Sequence, residues 1–569
     1  MISDISVDLV LTHGVVYTAD DQDTVYEAVA IKDNKIIFVG RDDEVAEYIG
    51  KNTKVIDLQG KMVIPGLIDT HMHPPGLSLS ELYEVQLYEM NNLEEYVAAV
   101  KNFIDQHPNI KVVHGKGWSW GIFTGEELVK GPRKEYLDAV APDIPVVLRA
   151  KDGHSLWVNS KALETYGIQY DTEDPAGGVI ERDNTSGELW GTLKEGAMQL
   201  IPQPEYDLAQ YIEAMSAFQK KMHSFGITGL LCIAGQFFNT IFQACSQMEK
   251  KGDLALRIRG AVGVSPKNDL SQQFAAINEL REQYRSPYLQ VTTAKFFTDG
   301  VVEGGTSYLL EPYTLEAGKG ANYYGEFLWD MERLKQAFSM ANRLGLQIYV
   351  HSTGDASTKN VLDALEYVQA KVPGDYRNTI THLQVVDKTD IPRFKELNVI
   401  ASVQPYWQFK GPNWWHNVDY RILGERAEEE YPLGSFFANG IMVTSSSDYP
   451  VTNVPNPILA IDIGVTRNMD NGAFYGVEDI THMDDERYLL NKNERATVQQ
   501  MIKSFTINGA YGMFMDRETG SIEAGKLADL AVLDQNLLTI SPVDIDKVKV
   551  VMTFFDGKLV YERKTASQE

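Results

Sequence analysis

The chain reads as an α/β protein: a (β/α)8 barrel with a small β-sandwich formed by both termini and a long insertion after the first barrel strand. Three observations predict this. Eight short apolar runs alternate with amphipathic helical patterns through the middle of the chain. Both ends are rich in strand-forming residues broken by turn signals. Polar side chains of one chemical kind stand at the ends of several apolar runs, which is where a barrel gathers its functional groups.

The predicted barrel strands are 62–71, 227–233, 256–263, 290–298, 346–351, 379–383, 398–404 and 441–447. Each is short and apolar enough to be buried on both faces. The intervening patterns 206–225, 237–251, 269–284, 330–344, 356–371 and 388–396 have helical periodicity, and 494–511 follows the last strand. Residues 1–60 are expected to form one part of the sandwich and 511–569 the other, flanking a barrel domain over 61–510. The stretch 108–203, rich in Gly, Pro and Trp, exceeds what a barrel loop needs and is read as an insertion subdomain. No fixed-period repeat is present.

A chain of 569 residues holds a large barrel and a satellite domain. Its formal net charge of -27 argues against nucleic acid and anionic membrane as partners. Two cysteines exclude a disulfide framework and suit a reducing compartment. The first residues carry no signal-type pattern, and no run approaches the ~20 apolar residues of a membrane helix. The expectation is a cytoplasmic protein with a small-molecule ligand. Symmetric pairing is the commonest assembly, so a homodimer is the default.

His71 and His73 sit two residues apart at the end of an apolar run, on one face of a strand. Two imidazoles so placed can grip one cation. His351, His382 and Asp448 end other predicted strands, and Lys295 lies near the end of the fourth. Imidazole nitrogen and carboxylate oxygen are the donors that zinc accepts, although other divalent metals also take them. Lysine is different, because an ammonium has no lone pair to offer. The constellation makes the chain readable as a metal-dependent hydrolase.

These residues lie in segments that resemble the amidohydrolase superfamily, in particular its amidohydrolase 3, or YtcJ-like, branch. The marks are Val63-Ile-Pro-Gly-Leu-Ile-Asp-Thr-His71-Met-His73, Lys151-Asp-Gly-His154-Ser followed by Leu156 to Leu163, and Lys295-Phe-Phe-Thr-Asp-Gly300. Further marks are His351-Ser-Thr-Gly-Asp355, Thr381-His-Leu-Gln384, Ser446-Ser-Asp-Tyr-Pro-Val451, Thr506-Ile-Asn-Gly-Ala510 and Gly520 to Leu530. The resemblance spans nearly the whole chain and implies one or two divalent ions, usually Zn2+. It implies that His71, His73 and Asp448 bind the more buried metal and that His351 and His382 bind a second. It implies Lys295 as an N-carboxylated lysine bridging the two. It further implies hydrolysis of an amide-like, N-acyl or N-formyl C–N bond outside peptides, with Asp448 as general base and then acid.

Substrate contacts are expected from His154 and Arg149 beside it, from Trp118 in the aromatic pair Trp118-Ser-Trp120, and from Trp407 in the aromatic run after the seventh strand. Two alternatives stay open. A mononuclear deaminase on the same barrel would carry a glutamate three residues after a barrel histidine, whereas Gly354 and Val385 occupy those offsets. A non-catalytic regulatory protein on the same fold is the other.

Overall fold

The computed structural model describes residues 6–564 apart from 89, 184, 413, 470, 471 and 473–475. The chain forms two compact units, one of residues 1–76 with 215–569 and one of residues 77–214.

The first unit contains an eight-stranded parallel sheet in sequential order. Its strands are β1 (Leu67–Met72), β2 (Ile227–Ile233), β3 (Arg257–Gly263), β4 (Leu289–Phe297), β5 (Gln347–Ser352), β6 (Thr379–His382), β7 (Ile400–Val403) and β8 (Val443–Ser445). Seven parallel pairings join them, with register shifts in the β1–β2 and β3–β4 ladders. The ring closes through a parallel bridge between Met72 and Tyr449 and through the Asp448 N–H, which donates to the His71 carbonyl at 2.9 Å. This is the barrel expected from the apolar runs. Every residue of β1 and β2 is buried, as parallel strands covered on both faces require.

Several barrel helices start where the chain supplies a cap. The Asp269 and Asp330 carboxylates accept from the third residue of helices Leu270–Gln283 and Met331–Arg343. Gly252 ends Phe238–Lys251 in the left-handed conformation that glycine adopts without penalty. The expected helix 494–511 is two, Val498–Ser504 and Ile507–Gly512.

The expected strand 62–71 is also divided. Met62–Pro65 belongs to a different sheet, and β1 begins at Leu67. The break falls at Gly66, whose N–H donates to the Asp529 carbonyl and where a Cβ would lie 2.3 Å from the Thr228 hydroxyl. Pro65 has no N–H for a ladder, so the chain changes sheets there.

Two sheets from both ends of the chain face each other. One has Leu9–Thr12, Ala28–Lys32, Lys35–Gly40 and Lys54–Asp57; the other joins Val15–Tyr17, Val25–Tyr26 and Met62–Pro65 to Leu530–Leu533, Val550–Phe555 and Lys558–Glu562. Leu11, Ile31, Val63, Val532 and Phe554 meet in their shared core. Arg257 of β3 reaches this sandwich and pairs with Asp529 and Asp556, all three buried.

The second unit is a six-stranded mixed sheet with short helices. The 108–203 stretch lies inside it. Among the described residues no helix is long and apolar enough to cross a membrane.

Candidate metal centre

The C-terminal ends of the barrel strands bring His71, His73, Lys295, His351, His382 and Asp448 toward one another. His71, His73 and Asp448 each offer a ligand atom, and these atoms lie within 4.8 Å of one another. Asp448 Oδ1 stands 2.8 Å from His73 Nε2 and 3.4 Å from His71 Nε2. The His382 ring centroid is 4.9 Å from that of His71 and 4.5 Å from that of His351.

Each histidine has one ring nitrogen held by a protein group outside the cluster, and the other is left toward the cluster, in His73 facing Asp448 Oδ1. His73 Nδ1 donates to the Ile233 carbonyl at 2.6 Å, and His382 Nδ1 to Gln404 Oε1 at 3.0 Å. His351 uses Nε2 instead, on the Gly300 carbonyl at 2.8 Å. His71 Nδ1 is 3.3 Å from both the Tyr349 and Thr381 hydroxyls. Such partners fix the tautomer and aim the free lone pair. Burial keeps these rings uncharged: it pushes His71 and His382 well below the usual imidazole range and His351 down to about 3, with Lys295 adding to each.

Two buried carboxylates organise this set without belonging to it. Asp69 accepts from the His71 N–H at 3.0 Å and from the Ser447 N–H at 2.9 Å, so one carboxylate joins β1 to the loop that presents Asp448. Asp299 accepts from the Thr353 and Gly354 N–H groups and from Tyr308, which ties the loop after β4 to the end of β5. Burial raises both carboxylates to about 7. Both stand in the motifs quoted above, but each also accepts from backbone N–H groups remote in sequence, Ser447 for Asp69 and Thr353 and Gly354 for Asp299, which spacing cannot reveal.

His382 and Asp448 have φ of 79° and 56°. Non-glycine residues seldom occupy this region, and where they do the surroundings hold them there. For Asp448 the restraint is its own N–H on the His71 carbonyl.

Lys295 is 1% exposed, and its Nζ has no hydrogen-bond partner. It lies 4.9 Å from the ring centroids of both Phe297 and Tyr349. Desolvation pulls the amine down to about 7, against the attraction of Asp448. An unsatisfied buried amine beside a carboxylate and several imidazoles, three of which burial keeps uncharged, fits a divalent metal site better than a packed core, because buried polar groups ordinarily have partners. The donor set, all N and O, is one that zinc and its neighbours accept.

A scan of the whole sequence matches the model of the amidohydrolase family over residues 54–561. The chain belongs to the amidohydrolase family. With its His-His-Asp cluster it is a metal-dependent hydrolase of carbon–nitrogen bonds other than peptide bonds. It is 27% identical to the putative amidohydrolase YtcJ of Bacillus subtilis (strain 168), over 97% of this chain and 98% of that protein. It is 28% identical to the protein LONG AFTER FAR-RED 3 of Arabidopsis thaliana, over 97% and 91%. It is 25% identical to the N-substituted formamide deformylase of Arthrobacter pascens, over 98% of each. Among solved structures, an uncharacterized metal-dependent hydrolase from Pyrococcus furiosus superposes with a TM-score of 0.70 at 22% identity, covering 93% of this chain and all of that one. That likeness concerns the fold.

The residues expected to touch substrate fall in different settings. Trp407 is half-buried beside the metal centre, its ring stacked on His382 at 6.1 Å between centroids. Phe297 stands 5.3 Å from His351 with 45% of its surface exposed. Trp118 is a correction: it is wholly buried in the second unit, packed on Trp120 and Phe123, with Nε1 donating to the Leu148 carbonyl. Its indole is spent on that core and presents no face to a ligand. His154 is an exposed residue of the second unit, paired with Glu195 at 3.1 Å. Arg149 lines a cavity of the same unit.

Proposed function

We propose that this protein hydrolyses an N-acyl or N-formyl amine, releasing the acid and the free amine. The observation that carries this reading is the cluster of His71, His73 and Asp448, with the remote nitrogen of His73 locked on a carbonyl. Together with His351 and His382, these residues would hold Zn2+ or a similar divalent metal. Such a metal, when bound, polarises a carbonyl and makes water acidic enough to act near neutrality.

Asp448 is the base. Its Oδ1 takes the proton of the attacking water and returns it to the departing nitrogen, so the amine leaves neutral. His71, His351 and His382 take no part in proton transfer, because burial lowers their pKa and their engaged ring nitrogens keep them as donors of lone pairs. Lys295, its amine pulled down to about 7 by desolvation, would add its nitrogen to CO2 and lose a proton, giving an anionic carbamate whose oxygens would serve as metal ligands. Phe297 and Trp407 present apolar faces to a substituent of the substrate.

A one-metal arrangement has a specific observation in its favour. His71, His73 and Asp448 form the one three-residue cluster among the described residues, and His351 and His382 are not part of it. In that case Lys295 stays an amine and holds the substrate's carbonyl.

The test is amine release from a panel of N-formyl and N-acetyl amines by zinc-loaded protein, alongside metal content and intact mass. The expected result is turnover, lost by a factor of ~10²–10⁴ in Asp448→Asn with the fold kept, the comparison being made at matched metal content. Two metals and a mass increment of one carboxylate would support the bridge; one metal and an unmodified mass would select the alternative. Absence of turnover across amides, carbamates, cyclic amides and esters would overturn the hydrolytic reading.

A further inference from the structure

The second unit contains a cavity of about 190 Å³ that the metal centre does not explain. Its floor is one face of the mixed sheet. His114 and Lys116 lie two apart on strand Val113–Trp118, and Val147 and Arg149 lie two apart on Val146–Ala150. The strands are parallel, with His114 opposite Val147 and Lys116 opposite Arg149. Leu156 of the next strand pairs with Arg149 and continues the face. The segment 201–204 covers it.

Two cations therefore stand side by side on one sheet face, an arrangement that costs stability unless a negative charge lies between them. Arg149 is fixed in place: Nη1 donates to the Gly153 carbonyl at 3.2 Å and Nη2 to Gln203 Oε1 at 3.0 Å. Lys116 is not. Among the described residues its Nζ has no hydrogen-bond or ion-pair partner. Glu84 is the single carboxylate on the cavity wall, and it accepts from the Tyr206 hydroxyl at 2.8 Å. Among the groups that line the cavity, Lys116, Arg149 and Glu84 sum to one positive charge, with His114 uncharged through burial; Glu81, outside the lining, adds a weaker field on Lys116. One monoanion balances them. The remaining wall, Val147, Leu156 and Ile201, is apolar.

We propose that this cavity binds a small monocarboxylate, with its carboxylate between Lys116 and Arg149 and its hydrocarbon part against Val147, Leu156 and Ile201. An arginine fork and a neighbouring ammonium suit a planar carboxylate. The volume limits the ligand to a few carbons or one ring, since drug-sized pockets run to ~300 Å³ and above. The inference does not rest on the hydrolytic reading.

The test is calorimetric titration of the full-length, metal-stripped chain with acetate, butyrate, hexanoate and benzoate, and with the matching primary amides. Without metal, the centre on the barrel does not compete. At least one acid is expected to bind below 1 mM in this experiment, ~10-fold or more tighter than its amide. Lys116→Gln, which removes no internal bond, should weaken it at least ~10-fold, and Lys116→Arg should keep most of the affinity. His73→Ala should leave it unchanged. If no acid in the panel binds, or if binding survives Lys116→Gln, the assignment is wrong. Loss of turnover in Asp448→Asn would bear on the hydrolytic reading and not on this one.

Discussion

The Asp448 carboxylate meets His73 Nε2 at 2.8 Å across 375 positions of sequence. This contact joins the first strand of the barrel to the loop after the last, so the seam of the ring and the proposed proton carrier are the same residue. Asp448 holds its place through its own N–H on the His71 carbonyl, independently of its side chain. Its carboxylate can therefore be altered chemically without opening the seam.

Asp69 should act on metal binding without touching metal. It fixes the His71 backbone and the Ser447 N–H that precedes Asp448. In Asp69→Ala both lose their restraint, and zinc affinity is expected to fall by about 10–100-fold. Competition titration with a chromogenic chelator measures it; unchanged affinity would remove Asp69 from the positioning role.

Gly76 has φ of 60°, and a Cβ there would lie 1.8 Å from a ring carbon of Tyr449. The Tyr449 carbonyl accepts from the His73 N–H at 2.9 Å. Gly76→Ala must displace that ring and the turn beside Asp448. Its expected cost is about 1–3 kcal/mol of stability, with weaker metal binding. Thermal unfolding and the same chelator titration together report it.

Arg257 is buried between Asp529 and Asp556. Removing it strands two carboxylates away from water, so Arg257→Ala should cost about 3–5 kcal/mol in denaturant unfolding. Replacing all three by apolar residues of similar volume should cost far less. A mild loss in the single variant would mean that water reaches the acids.

The pH dependence centres on Asp419. Desolvation, and then the charge of Glu303, push its carboxyl from 3.8 up to about 7 in the folded chain. The folded state thus holds a proton that the unfolded state has released between these values. The associated stability is fully present below pH 4 and is lost as pH rises through about 7. Asp419→Asn cannot release that proton. Its stability relative to the parent should be level at pH 4 and greater by up to a few kcal/mol at pH 8. Parallel thermal scans across that range decide it, and a constant difference would contradict the shift.

The barrel was legible because its strands are buried on both faces and each functional strand ends in a polar residue. His71, His73, His351, His382 and Asp448 could be placed from those breaks alone. The division of 62–71 was less visible, since the apolar run continues through Gly66 and only the approach of Thr228 and Asp529 shows where the sheets part. Trp118 was misjudged because an aromatic pair in a glycine-rich stretch looks the same whether it lines a mouth or fills a core. The pairing of Lys116 with Arg149 depends on a strand register that neither segment encodes alone.

The sandwich sheet carries a consequence in time. Met62 opens the strand that comes just before that of His71, and its sulfur accepts from the Leu537 N–H, 475 positions later. Its strand pairs on one side with Val15–Tyr17 and on the other with Leu530–Leu533. At roughly 5–20 residues per second, a ribosome needs about half a minute to a minute and a half to supply that second neighbour. Throughout that interval the nascent chain shows an unpaired apolar edge. A newly made molecule therefore passes through a window of vulnerability that the finished one never revisits, and chaperone demand should fall on the chain during its synthesis.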